Sequence, residues 1–143
     1  MEYNRIRGLT PVVIGSPRIM VVDDDLDTVG LLRLVLQRAS YKVVTATSYE
    51  EVVDRLKISE QYKEIIDLVI LDIMMPARSG FDIFLTLKVV LHPMPPVIFL
   101  SAKCNMDDMV KASDLGAAKY LVKLTTPDKL LKAVEDVLSK VRE

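Results

Sequence analysis

Three consecutive carboxylates, Asp23, Asp24 and Asp25, close the apolar run in the stretch MVVDDD. Like charges this close repel, and each carboxyl has its pKa raised unless a cation compensates. The triplet is therefore a solvated turn or helix cap, or else the lining of a site that holds something positive. Three more residues of chemical interest close other apolar runs: Asp72 after DLVIL, Ser101 after VIFL and Lys123 after KYLV. Two or three carboxylates suit a hard divalent cation such as Mg²⁺, which keeps several waters and needs few protein oxygens. A carboxylate beside such a cation can act as a nucleophile toward phosphorus, forming an aspartyl-phosphate. Cation and ammonium group then neutralise the phosphoryl oxygens, and a nearby hydroxyl can hydrogen-bond one of them.

Residues so far apart in the chain meet only if the fold carries them to one place. Short apolar runs at Arg18 to Val22, Lys42 to Ala46, Asp67 to Leu71, Val97 to Leu100 and Lys119 to Val122 read as strands. Helical periodicity lies between them. Leu32, Val35, Leu36 and Ala39 share one helix face. Ser48 with Glu51 has the spacing of a capping box and opens a helix lined by Tyr49, Val52, Val53 and Leu56. Gly80 to Leu91 forms a helix stopped by prolines 93, 95 and 96. Asn105 caps another that ends before Gly116, and Thr126-Pro127 opens the last, striped by Leu130, Ala133, Val134, Val137, Leu138 and Val141. Apolar strands alternating with helices imply an α/β fold, a doubly wound, five-stranded parallel sheet of flavodoxin-like order 2-1-3-4-5. Ligands of such sheets bind beyond the carboxyl ends of the strands. Strands one, three, four and five are contiguous in that order, so Asp23, Asp24, Asp72, Ser101 and Lys123 converge on one rim.

The chain has 143 residues, half of them apolar and 27% charged, as expected of one globular domain with a real core. A net charge of -1 argues against a general binder of nucleic acid or membrane surfaces. The single cysteine, Cys104, excludes an internal disulfide framework and a four-cysteine zinc site. There is no apolar run of transmembrane length and no signal peptide, so the expected compartment is the cytoplasm. Residues 1–17, punctuated by Gly8, Pro11, Gly15 and Pro17, read as an N-terminal arm with an extended piece at Val12 to Ile14, and 18–143 as the domain.

The elements VVDDD, LDIMMPARSG, FLSAK and KYLVK, in this order and spacing, resemble a response-regulator receiver domain of two-component signalling, from about Arg18 to Arg142. The resemblance implies a role for each matching residue. Asp23 and Asp24 correspond to the acidic pair that holds Mg²⁺, and Met74 to the residue whose backbone carbonyl completes that site. Asp72 corresponds to the phosphoacceptor, charged by a sensor histidine kinase. Ser101 and Lys123 correspond to the hydroxyl and ammonium that follow the phosphoryl group, and Tyr120 to an aromatic switch. The output implied is a protein target, or a second copy, bound through the face of helix four, strand five and helix five. The chain ends at Glu143, directly after the last helix, which leaves no room for a DNA-binding output domain and implies a stand-alone receiver or one cut from a longer chain.

The sequence departs from the family pattern after Lys123, where Leu124 stands in place of the usual proline. A cis bond there would cost about 2.5–4 kcal/mol, so the Lys123 loop is expected to be trans or looser. Met74 and Lys103 flank the site, and neither is an acid or amide that could orient water, so slow loss of the phosphoryl group is expected. The segment Ile58 to Ile66 is long for a link. Plainer readings stand beside these. Ser101 also suits an N-cap, Tyr120 a packed aromatic, His92 a loop, and Met74, Met75, Met106 and Met109 packing positions. Gly80 reads as a turn and Gly116 as a C-cap. Two other functions compete. One is a degenerate receiver that binds partners without phosphorylation. The other is an aspartyl-phosphate phosphatase of the dehalogenase type, which needs a second aspartate where Met74 stands.

Overall fold

The computed structural model describes residues 15–102, 105–123 and 125–142, with the backbone alone at 3–4, 12–13 and 141–142. The expectations for Ile14, Lys103, Cys104 and the Lys123–Leu124 bond lie outside the described residues. A short antiparallel pair, β1 (Tyr3–Asn4) with β2 (Val12–Val13), comes first. The strands β3 (Arg18–Val22), β4 (Lys42–Ala46), β5 (Leu68–Leu71), β6 (Val97–Ser101) and β7 (Lys119–Val122) then form one parallel sheet. Their order is β4-β3-β5-β6-β7, the 2-1-3-4-5 order expected. The helices between them are α1 (Leu26–Arg38), α2 (Tyr49–Tyr62), α3 (Gly80–Val90), α4 (Met106–Leu115) and α5 (Pro127–Arg142).

The sheet is buried on both faces, which is why its central strands are nearly all apolar. Successive side chains of a strand point to opposite faces. Met20, Val22, Val69, Leu71 and Phe99 therefore meet α2, α3 and α4, through Val52, Leu56, Phe81, Phe84 and Ala112. Ile19, Val21, Leu68, Ile70 and Ile98 meet α1 and α5, through Leu32, Leu36, Leu130, Val134 and Val137. Phe99 centres the first layer, with its ring 5.2 Å from that of Phe81 and 5.8 Å from that of Phe84.

The caps depart from expectation in one place. Ser48 Oγ accepts from Glu51 N–H at 3.1 Å, but the Glu51 carboxylate turns to Thr47, accepting from its N–H at 2.6 Å and its hydroxyl at 2.7 Å. Thr47 offers two donors where Ser48 offers one, so the reciprocal half of the box is lost. The complete capping box opens α3 instead, where Ser79 and Asp82 each accept from the other's N–H. The seemingly long link after Ile58 is mostly helix, since α2 continues to Tyr62 and stops at Lys63 in the left-handed region. Gly116 closes α4 with φ 95°, as a C-cap glycine does. The methionine expectation fails for two of four: Met75 is packed in the core, whereas Met74 is 58% and Met106 71% exposed.

Candidate functional site: an acidic pocket at the carboxyl rim of the sheet

Hydrogen bonds of the sheet place the acidic residues. Asp23 N–H donates to the Ala46 carbonyl at 3.1 Å, and Asp72 N–H to the Val22 carbonyl at 2.9 Å, so each aspartate continues the ladder one residue beyond its strand. Lys123 N–H donates to the Ser101 carbonyl and carries the β6–β7 pairing on to the rim. Both strand-end aspartates are thereby buried, each 2% exposed.

One carboxylate oxygen from each of Asp23, Asp24 and Asp72 lies within 4.8 Å of the others. Asp24 is exposed and closes the cluster from the solvent side. Lys123 Nζ lies 2.8 Å from Asp23 Oδ2 and 3.2 Å from Asp72 Oδ2. One ammonium thus bridges two buried carboxylates and leaves the cluster short of positive charge. Burial, and then the charge of Asp23, push the Asp72 carboxyl up to about 6, against the opposing pull of Lys123 and of the Met74 N–H. Burial lowers the Lys123 ammonium, but the hydrogen bond and charge of Asp23, then of Asp72, outweigh it and leave the pKa raised. The donor set is all oxygen, clustered and under-neutralised. It fits a hard divalent cation.

Asp25 is not part of this cluster. It caps α1, accepting from Asp27 N–H at 3.1 Å and the Thr28 hydroxyl at 3.0 Å, and those bonds lower its pKa. The triplet therefore divides its work, two carboxylates facing the rim and one capping a helix. Asp23 Oδ1 also accepts from the Asp25 N–H at 2.9 Å, which ties the two functions together.

Of the other expected residues, Met74 is at the site through its backbone, its N–H donating to Asp72 Oδ1 at 3.2 Å. Ser101 is the last residue of β6, 1% exposed, and caps no helix, since Asn105 caps α4. Tyr120 lies mid-strand on β7, registered with Phe99, and packs half-buried on the α2–α4 side of the sheet. It is outside the acidic cluster.

Gly80 is the positioning residue that its reading as a turn missed. It is the first residue of α3, and its N–H donates to the Ile73 carbonyl at 2.8 Å. A Cβ there would strike the Asp72 carbonyl oxygen and stand 2.8 Å from Ile73 Cα. The residue immediately after Asp72 is therefore folded onto the start of α3, and only a glycine permits the approach. Ala77, at φ 65°, turns the chain between them. Arg78 stacks 4.2 Å from the Tyr49 ring centroid, which pins the loop to α2.

Comparison with known proteins bears on the family and the fold. The family model described as the response regulator receiver domain matches residues 19–135. The response regulator SaeR of Staphylococcus aureus (strain USA300) is 32% identical over 125 residues, covering 87% of this chain and 52% of that protein. The chain thus spans about half the length of this curated relative. A response regulator receiver domain protein from Clostridium thermocellum is 30% identical, with TM-score 0.76, over 88% of this chain and 97% of that one. The chemotaxis protein CheY4 of Vibrio cholerae is 26% identical, with TM-score 0.74, over 85% and 98%.

Proposed function

Because this chain belongs to the response regulator receiver domain family, we propose that it is a phosphoryl-accepting switch, charged on Asp72 by a sensor histidine kinase. The domain is assigned to 18–143 and the arm to 1–17. The observation that carries the reading is the convergence of carboxylate oxygens of Asp23, Asp24 and Asp72 within 4.8 Å of one another, with Lys123 in contact with Asp23 and Asp72.

Asp72 is the nucleophile. Its carboxyl, at about 6, is ionised at neutral pH. One carboxylate oxygen attacks the donor phosphorus in line, the bond from phosphorus to the leaving atom breaks, and its electron pair departs with the donor. The Met74 N–H on Asp72 Oδ1 orients the carboxylate. Lys123 exchanges its carboxylate contacts for a phosphoryl oxygen, and the Ser101 hydroxyl donates to another. Mg²⁺, held by Asp23, Asp24, Asp72 and the Met74 backbone carbonyl, would neutralise charge on the phosphoryl group.

Movement of Ser101 and Lys123 toward that group biases the strand that carries Tyr120, and with it the face of α4, β7 and α5. That face exposes Met106, Val110 and Val122 and is crossed by a Lys119–Asp136 ion pair at 3.7 Å. A downstream protein or a second copy binds there. The role needs no direct contact with nucleic acid or membrane, and among the described residues no helix is long and apolar enough to cross a membrane. The cytoplasm is the proposed location.

The test is intact mass after incubation with a small phosphodonor and Mg²⁺. One phosphoryl adduct is expected, lost with chelator and in Asp72→Asn. A folded protein that takes up no phosphoryl group overturns the reading.

A further inference from the structure

Met74 is a thioether that fills no core. Its backbone N–H is bonded to Asp72, yet its side chain is 58% exposed, while Met20 is fully enclosed and Met75 is 9% exposed. The side chain lines an open cleft of about 510 Å³ between the loop after Asp72 and α4. Asn105, Asp108 and Lys111 give the same cleft polar walls. Peroxide and water therefore reach the side chain of the residue whose own N–H holds the Asp72 carboxylate.

We propose that Met74 is a peroxide-responsive modification site whose sulfoxide shortens the life of the phosphoryl group on Asp72. The inference rests on the assignment of Asp72 as phosphoacceptor. Hydrogen peroxide transfers one oxygen to the sulfur. An S–O bond forms, the O–O bond breaks, sulfur is oxidised by two electrons and the peroxide is reduced to water. The thioether is a weak acceptor, whereas the sulfoxide is polar and accepts strongly. At this position it holds a water beside the acyl phosphate. That water attacks phosphorus, the bond to the Asp72 oxygen breaks with its electrons returning to the carboxylate, and the water's proton passes through solvent to the released phosphate. Met106, 71% exposed at the start of α4 but outside the cleft, is the internal comparator.

The experiment measures phosphoryl lifetime by intact mass, with Mg²⁺ and a small phosphodonor, on untreated and peroxide-treated chain, with peptide mass spectrometry to locate the added oxygen. Met74 and Met106 are expected to gain oxygen before Met20 and Met75. The lifetime is expected to fall about fivefold, the equivalent of one added hydrogen bond. The peroxide effect disappears in Met74→Leu, persists in Met106→Leu and is reversed by methionine sulfoxide reductases. Met74→Gln, with a permanent acceptor, shortens the lifetime without peroxide. A Met74 that resists peroxide, an oxidised chain of unchanged lifetime, or a peroxide effect that survives Met74→Leu overturns the inference. An untreated chain that never takes up phosphoryl instead overturns the assignment of Asp72.

Discussion

At the scale of single residues, the charge balance of Asp72 and Lys123 sets the behaviour of the resting site. The folded-state pKa of Asp72, about 6, lies above its ordinary 3.8. Between those values the folded chain holds a proton that the unfolded chain has lost. This group therefore adds stability as pH falls from about 6 to 4, and above 6 its full cost remains. Asp72→Asn removes that cost, so without divalent cation it is expected to stabilise the fold at pH 7 by on the order of 2 kcal/mol. Thermal melts at pH 7 and pH 4 check this; the gain should shrink at the lower pH. Lys123→Met leaves two buried carboxylates without their shared cation and is expected to cost about 2 kcal/mol, less than for a fully enclosed pair. Added Mg²⁺ should then raise the melting temperature of this variant more than that of the parent chain. The residue types of this site were legible in the sequence because each ends an apolar run. The split of the Asp triplet was not, because Asp25 differs from its neighbours only by facing the first turn of α1.

At the scale of elements, the loop from Asp72 to α3 is the most constrained segment of the site. Gly80→Ala drives a Cβ into the Asp72 carbonyl oxygen, and backbone on both sides prevents relief. Overpacking of this kind typically costs about 1–3 kcal/mol and outweighs the better helix propensity of alanine. Urea melts should show the loss, and slower phosphoryl uptake should accompany it as Asp72 shifts. Ser79→Ala removes the acceptor for Asp82 N–H and is expected to cost about 1 kcal/mol in the same melts, with a smaller effect on uptake. Strand positions were readable to within a residue because burial on both faces forces continuous apolar runs. Ser48 caps α2 as expected, but the reciprocal half of the box was misread because competition between Thr47 and Ser48 for the Glu51 carboxylate depends on geometry rather than spacing. The role of Gly80 was hidden for a similar reason: a glycine's close approach is to a residue eight positions away, and no periodicity encodes it.

At the scale of the whole molecule, the sheet divides the core into two layers that share every strand. Ile98 and Phe99, both fully buried, point into opposite layers. Ile98→Val is expected to cost about 0.5–1.5 kcal/mol and Phe99→Ala about 3–5 kcal/mol. Both should lower a single urea transition read by fluorescence and circular dichroism alike, since neither layer persists without the sheet. The layering was legible in the strand sequences, whereas the exposure of Met74 and Met106 was not, because apolar character alone does not say which methionines face out. The site takes Asp23 from the first strand of this sheet and Lys123 from just after the last, in direct contact. During synthesis on a ribosome the acidic residues emerge long before their cation. A nascent or truncated chain therefore has the carboxylates without their counter-charge, and the acidic rim is completed only when the final strand is in place. On the function proposed above, competence to receive a phosphoryl group would thus certify completed folding.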